Sequence, residues 1–363
     1  MKKQTGTNTT PVIDPELIAK KWPTGKQPKM ADIARIAGVD VSTVSRALAG
    51  NPRVAKKTRE LIDQIVRDTG YVVNEAGRNL RDGRAYQVLV IVQDIAAPFY
   101  SDVVQGIVAL FAEHDINILL GITLGRAKRE DDLAKQLLSG GVDGIISLTG
   151  NAPQTISNTR DFNRKIVAIS RPIPHENVAC VTINNYAAAR EVMEYLYSMG
   201  HRHIVHIGGP NHSETYRLRS AAYVDFMRDH CLDEQINVRS TNSFSDDIES
   251  GTAIMRSFLD DGIRPTAVFC ATDELAVGAM AAARQANLDI PKDVSFFGFD
   301  DLQLAGLMFP ALSTVSVPRF EMGHRGAEEL YKQIYKDGIP SAKIMLKHQL
   351  VIRDSVAEIS CSD

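Results

Sequence analysis

From residue 30 to residue 71 the apolar side chains recur three and four positions apart, the spacing of one face of an α-helix. Ile33, Ala34 and Ala37 mark one such face, and Val44 and Leu48 a second. Leu61, Ile62, Ile65 and Val66 mark a third, which would close a three-helix core with Tyr71. Past residue 84 the rhythm changes. Near-continuous apolar runs predict strands at VLVIV (88–92), INILLG (116–121), GIISL (144–148), IVAIS (166–170), HIVHIGG (203–209), AVFCA (267–271) and VSFFGFD (294–300). Between them, amphipathic stretches predict helices over 101–113, 128–139, 186–199, 217–230, 246–261 and 273–286. Buried strands alternating with helices predict an α/β fold with parallel sheets covered on both faces. The stretch is too long for one such sheet of modest size, so two are expected. The alternation alone leaves a (β/α)8 barrel open.

The segment MADIARIAGVDVSTVSRAL (30–48) repays a closer reading. Val41, Thr43 and Val44 are β-branched and favour strands, yet the punctuation around them is helical. Asp32 suits a helix start, Gly38 can take positive φ and end that helix, and Asp40 is a good N-cap for the next. Ala34 is small enough to let two helices cross closely. This is the sequence shape of a helix-turn-helix, whose second helix enters the DNA major groove by its N-terminal residues. There Val41 could meet a thymine methyl, Ser42 lies beside it, and Arg46 could donate bidentately to guanine. Thr43 and Ser45 are suited to phosphate, as are Arg53, Lys56, Lys57, Thr58 and Arg59 at the start of the third helix. Spacing alone also permits a plain pair of helices with these side chains solvated.

Charge sharpens that choice. The first 84 residues hold 16 Lys and Arg against 9 Asp and Glu, whereas the remainder holds 25 against 35. A basic head on an acidic body points to a polyanion-binding module joined to something else. Residues 1–27 are polar and read as a disordered extension without the apolar segment of a secretory signal, so a cytoplasmic location is expected. The four widely spaced cysteines suggest buried thiols in a reducing compartment rather than a disulfide or zinc framework.

With these residues in view, the chain resembles the LacI/GalR family of bacterial transcription regulators. The likeness runs from ADIARIAGVDVSTVSRAL through GYVVNEAGRNLRDGR, APFYSDV, GH, GGP, ATDELAVGAM and SFFGFDD to LVIRDS, everything beyond the first 27 or so residues. It implies a homodimeric regulator with a two-lobed sensor shaped like periplasmic binding proteins, governed by a sugar or sugar derivative. The organisation it implies is an extension over 1–27, a helix-turn-helix domain over 28–73, a hinge over 74–84 and a sensor over 85–363. Lobe 1 would take about 85–183 and 314–343, and lobe 2 about 184–313 and 344–363. Asn74 would open a hinge helix that forms on DNA, with Leu80 wedged into the minor groove. Phe99, Tyr100 and Phe244 would wall the effector, Arg171, Thr215 and Arg219 would donate to it, and Thr272 and Asp300 would complete the site.

Departures from the family pattern are few. Gly77 replaces Ala and Val73 replaces Pro in the hinge, where Gly lowers helix stability by about 1 kcal/mol. Ala55 replaces a capping Ser, Ala97 and Thr272 each stand where Asn is common, and Val317 stands where Gln is frequent. Asp273 reads as a helix cap. With no Leu-rich heptads after Asp354, a dimer rather than a tetramer is expected.

Other chemistries find little support. His203 and His206 would point to opposite faces of a strand, which argues against a metal site. GGP (208–210) reads as a strand-to-helix turn, and the Asp131–Asp132 and Asp246–Asp247 pairs as helix-start charge. With no nucleophile elbow, phosphate loop or dinucleotide motif, an enzyme and any cofactor are not expected. The leading expectation is a repressor whose operator affinity an effector controls. The alternative is a cytoplasmic solute-binding protein without DNA function.

Overall fold

The computed structural model describes residues 28–72, 83–159, 162–175, 177–241, 248–340 and 343–359. The chain divides into two compact units, Met1–Gly83 and Arg84–Asp363.

In the first unit, helix α1 spans Met30–Ala37, α2 Val41–Leu48 and α3 Lys56–Thr69. Gly38 ends α1 at φ 67°, a left-handed conformation that glycine adopts without steric cost. Asp40 caps α2, its carboxylate accepting the Ser42 N–H at 2.8 Å. Ile33, Ala34, Ile36, Val44, Ala47, Val54, Ile62, Ile65 and Tyr71 form one core. Burying a Val or Ile side chain contributes about 1.5–3 kcal/mol, more than the roughly 0.7 kcal/mol that β-branching costs a helix. Tertiary packing therefore decides the conformation of α2. Ile36, not Ala37, completes the buried face of α1, because it lies three residues from Ile33. Leu48, Leu61 and Val66 are only half-buried.

The second unit holds two parallel sheets. The first comprises β1 (Gln87–Val92), β2 (Asn117–Ile122), β3 (Gly144–Ser147), β4 (Ile166–Ile169), β5 (Ala179–Ile183) and β11 (Ile344–Leu346), in the order β11-β5-β4-β3-β1-β2. The second comprises β6 (Ile204–Gly208), β7 (Val238–Ser240), β8 (Ala267–Cys270) and β9 (Ser295–Phe297), in the order β7-β6-β8-β9. Strands β10 (Thr314–Ser316) and β12 (Gln349–Val351) pair antiparallel. Helices α4 (Pro98–Ala112), α5 (Ala127–Leu138), the one-turn α6 (Gln154–Ser157) and α11 (Arg319–Tyr335) accompany the first sheet. Helices α7 (Asn185–Ser198), α8 (Glu214–Asp229), α9 (Ile248–Asp260) and α10 (Asp273–Gln285) accompany the second.

Strand β1 shows why both faces are covered. Val88, Val90 and Val92 join the core that includes Val103 and Ile107 of α4, while Leu89 and Ile91 join the one that includes Ala134 and Leu137 of α5. The two-residue strand period thus feeds two separate cores.

The alternating fold follows the pattern of the sequence, with differences at its margins. The run 179–183, the one-turn helix Gln154–Ser157, the helix over Arg319–Tyr335 and the short strands β7, β10, β11 and β12 are additional elements. Because β11 pairs with β5, the first sheet extends to Leu346, past the expected crossing at 343. Among the cysteines, Cys180 and Cys270 are buried, but Cys231 is exposed, contrary to the expectation of buried thiols. Burial pushes the Cys180 thiol up to about 12. Among the described residues, no helix is long and apolar enough to cross a membrane.

Candidate functional site

In the second unit, loops at the carboxyl ends of strands from both sheets meet at one cleft, where ligands of open α/β folds commonly bind. It is lined by Ala97, Phe99, Tyr100, Ser170, Arg171, Thr215, Tyr216, Arg219, Glu274 and Asp300. The start of α4 delivers Phe99 and Tyr100, whose rings meet edge to face at 5.7 Å. The start of α8 delivers Thr215 and Tyr216 and, one helical turn on, Arg219.

Arg219 is the most constrained of these side chains. It is 4% exposed, its Nε donates to Asn185 Oδ1 at 3.0 Å, and its Nη1 donates to the Ala271 carbonyl. Its guanidinium carbon lies 3.4 Å from the centroid of the Phe299 ring, a cation–π contact. Nη2 stands 3.7 Å from the buried Asp300 carboxylate. Arg171 donates to Gln93 at 3.1 Å and to the Tyr216 hydroxyl at 3.3 Å, and Thr215 donates to the Ser170 carbonyl at 3.3 Å. The last two bonds join the two lobes across the cleft. The arrangement offers guanidinium donors, carboxylate acceptors and aromatic walls together, a set suited to a small polyhydroxylated molecule.

Of the residues expected to hold an effector, the structure brings Phe99, Tyr100, Arg171, Thr215, Arg219 and Asp300 to this cleft. Thr272 is not among the lining residues. Its buried hydroxyl accepts the Leu275 N–H at 3.2 Å and caps α10. Asp273, read from the sequence as that cap, is instead wholly buried, bonded to the Thr314 hydroxyl at 2.5 Å and to the Leu302 N–H at 2.7 Å. Burial, reinforced by the nearby Asp300 carboxylate, pushes its pKa up to about 8. Phe244 lies outside the described residues. Tyr216, Glu274 and Asn185 were not singled out from the sequence. The turn-by-turn spacing from Arg219 could have found Tyr216, whereas Glu274 and Asn185 look like ordinary helix-start residues.

His206 is fully buried, with its ring nitrogens bonded to the Phe269 carbonyl at 2.9 Å and to Ser220 at 3.0 Å. Burial depresses its pKa to about 4. Among the described residues, no group of three or more His, Cys, Asp or Glu side chains is gathered as a metal site would need.

In the first unit, α2 turns Val44 and Ala47 inward and leaves Val41, Ser42 and Arg46 exposed. Arg46 reaches back one turn and donates to the Ser42 hydroxyl at 2.7 Å. Thr43 and Ser45 flank this face, half-buried. Arg53, Lys56 and Lys57 are exposed and Thr58 is half-buried, but Arg59 donates to the Asn51 carbonyl at 2.7 Å. Arg59, half-buried, thereby ties α3 to the turn before it. Asn74 and Leu80, with Val73 and Gly77, lie outside the described residues. Ala55 stands at the N-cap of α3 and supplies no side-chain cap.

An exposed reading helix and a lobed α/β unit with a polar cleft agree with comparisons to known proteins. Residues 29–74 match the model for bacterial regulatory proteins of the lacI family, and residues 193–356 match a periplasmic binding protein-like domain. Over 331 residues the chain is 32% identical to the HTH-type transcriptional repressor CytR of Escherichia coli strain K12, covering 90% of this chain and 95% of that one. The chain belongs to the LacI family. This LacI-family regulator also shares its fold with the lac repressor dimer bound to operator and the anti-inducer ONPF, at a TM-score of 0.80 and 22% identity over 92% of this chain and 100% of that one. The transcriptional regulator CelR–cellobiose complex matches at a TM-score of 0.63 and 26% identity, covering 91% of this chain and 100% of that one. The family consists of transcriptional regulators rather than enzymes, and this member carries the family's DNA-binding domain at its N-terminus.

Proposed function

We propose that this LacI-family regulator is a homodimeric repressor whose operator affinity is set by a carbohydrate-like effector held in the cleft of the second unit. In this reading, residues 28–73 read DNA, 74–84 form a hinge and 85–363 sense the effector. Arg46, Val41 and Ser42 read base edges, while Arg53, Thr43, Ser45 and Thr58 contact phosphates. Asn74 and Leu80 act in the hinge, with Leu80 as the minor-groove wedge. Phe99, Tyr100 and Phe244 wall the effector, and Arg171, Thr215, Arg219 and Asp300 bond it. The observation that carries the proposal is the buried Arg219–Asp300 pair facing aromatic walls in a cleft whose lining comes from both lobes. Cellobiose bound to the relative CelR supports a carbohydrate. The two arginines make a sugar acid or sugar phosphate a natural variant of that ligand. An effector can shift operator affinity only through unequal affinity for two states of the protein, and the bonds across the cleft are where such states would differ.

A gel-shift titration at fixed salt, using the promoter of the protein's own gene and a panel of sugars, sugar acids and sugar phosphates, tests this reading. The expected outcome is sequence-specific binding that one member of the panel strengthens or weakens. Absence of any sequence-specific shift under every condition would overturn it. Leu80→Ala is expected to weaken specific binding more than non-specific binding, and equal losses would remove the wedge from the account.

A further inference from the structure

Arg319, the first residue of α11, holds the cleft's acceptor from behind. Its Nη1 donates to the Asp300 carbonyl, its Nη2 donates to the Asp301 carbonyl at 3.2 Å, and Nε and Nη2 donate to the Asp102 carboxylate at 2.9 and 2.7 Å. Asp300 and Asp301 adopt φ values of 109° and 55°. A non-glycine residue keeps such conformations only where the surroundings impose them. Arg319 grips both strained carbonyls at once, and its third partner, Asp102, sits on α4, the helix that delivers Phe99 and Tyr100.

Helices α4 and α11 pack backbone to backbone. A Cβ added at Gly106 would come within 2.0 Å of the Phe320 carbonyl oxygen, and one at Gly323 within 2.0 Å of the Val103 carbonyl oxygen. The two backbones are in direct contact at both places. At its other end, about 25 Å away for a helix of this length, α11 meets the entry to the second unit. The Ile334 carbonyl accepts from Arg84 Nη1 at 2.9 Å, and the Arg84 guanidinium lies 4.6 Å over the Tyr335 ring. The Tyr335 hydroxyl donates to Asp143 at 2.6 Å, and the same carboxylate accepts the N–H groups of Ala85 and Tyr86 at 2.7 Å each. Arg84 is the first residue of this unit, immediately after the chain leaves the DNA-binding unit.

We propose that Arg319 is a positioning residue for the effector acceptor Asp300, and that α4 and α11 carry its register as one body to the Arg84–Asp143–Tyr335 clasp at the entry from the DNA-binding unit. The inference rests on the reading of the cleft as an effector site and names the route by which that site reaches the hinge. One end of the route consists of strained carbonyls and a guanidinium. The other consists of a carboxylate holding two backbone N–H groups and a phenol. Both ends belong to one helix packed backbone to backbone against α4, the geometry by which a shift at one end would reach the other.

Hydrogen exchange on the full-length protein without ligand tests the route directly. Arg319→Met is expected to accelerate exchange about tenfold or more at the Asp300 and Leu302 amides and also at the distant Ala85 and Tyr86 amides. Leu137→Ala, which weakens α5 in the same lobe off the route, serves as the control and should not move the two sites together. Arg319→Lys keeps the charge, and is expected to give a smaller response with the same two-site pattern should the Met variant fold poorly. Acceleration confined to the Asp300 loop, or an equal two-site response in the control, would overturn the proposal. A second arm measures affinity for a DNA duplex selected from a random pool by the wild-type protein. Arg319→Met and Tyr335→Phe are expected to be coupled by about threefold or more in a double-mutant cycle, whereas additive effects would overturn transmission along α11. If the wild-type protein selects no duplex, the DNA-binding reading fails and the exchange arm still decides this one.

Discussion

The two functional surfaces of this protein are built in opposite ways. On α2 the groups proposed to meet DNA are exposed, and their positions follow from one short helix and its Asp40 cap. In the cleft, Arg219 and Asp300 are buried and paired with each other, Phe99 and Arg171 are half-buried, and the four come from widely separated parts of the chain. The comparison teaches that an exposed reading surface can change with little effect on folding. A buried cleft cannot, because each of its polar groups is also a partner for another.

The largest test of that difference is Arg219→Met. It leaves the Asp300 carboxylate buried without its counter-charge, and loss of one member of a buried pair costs about 3–5 kcal/mol. Equilibrium denaturation should show a loss of that order. A loss below about 1 kcal/mol would mean that solvent reaches the pair and that the cleft is not built as described. On the reading helix, Arg46→Ala should instead leave stability within about 0.5 kcal/mol of wild type. Its affinity for the selected duplex should fall by about 1–3 kcal/mol and its preference at one base pair should relax. Instability in that variant would break the contrast between the two surfaces.

A subtler test uses Asp273 beneath the cleft. Its carboxyl ionises near 3.8 in a model peptide and near 8 in the folded protein, so between these values the native state keeps a proton that the unfolded chain has lost. Its contribution to stability is therefore fully present below about pH 4 and is lost as pH rises toward 8. Buried His206, with its depressed pKa, acts in the other direction between about pH 4 and 6.5. The difference between wild type and Asp273→Asn isolates the carboxyl. The variant should gain on the wild type between pH 5 and pH 8 in chemical denaturation, and a constant difference would show that Asp273 is already ionised. The smallest effect belongs to the exposed Lys56 and Lys57. Replacing either with Ala should weaken DNA binding uniformly across sequences and reduce the salt slope by about 1.

How much of this was legible in the sequence depends on how local each signal is. Gly38 and Asp40 announced α2 within a few residues of it, and burial of Val44 and Ala47 explains why β-branching did not prevail. Arg219 and Asp300 were found by their place in a family order, because nothing in their immediate neighbours marks them as a pair. Thr272, not Asp273, caps α10. Either could cap α10, and only Thr314 and Leu302, far along the chain, draw Asp273 into the interior. Arg319 gave no sequence signal at all, since its partners lie at residues 102, 300 and 301. Long-range bonding of this kind leaves no period in the chain.

The central claim is that a ligand in the buried cleft governs the exposed helix. Its most direct measurement is the affinity of the full-length protein for the selected duplex at fixed salt, with and without each member of the carbohydrate panel, for wild type and Asp300→Asn. The account predicts that one ligand changes wild-type affinity by about 5- to 150-fold and leaves the Asp300→Asn protein bound to DNA but unresponsive. Either no response to any ligand in the wild type, or an undiminished response in Asp300→Asn, would contradict it.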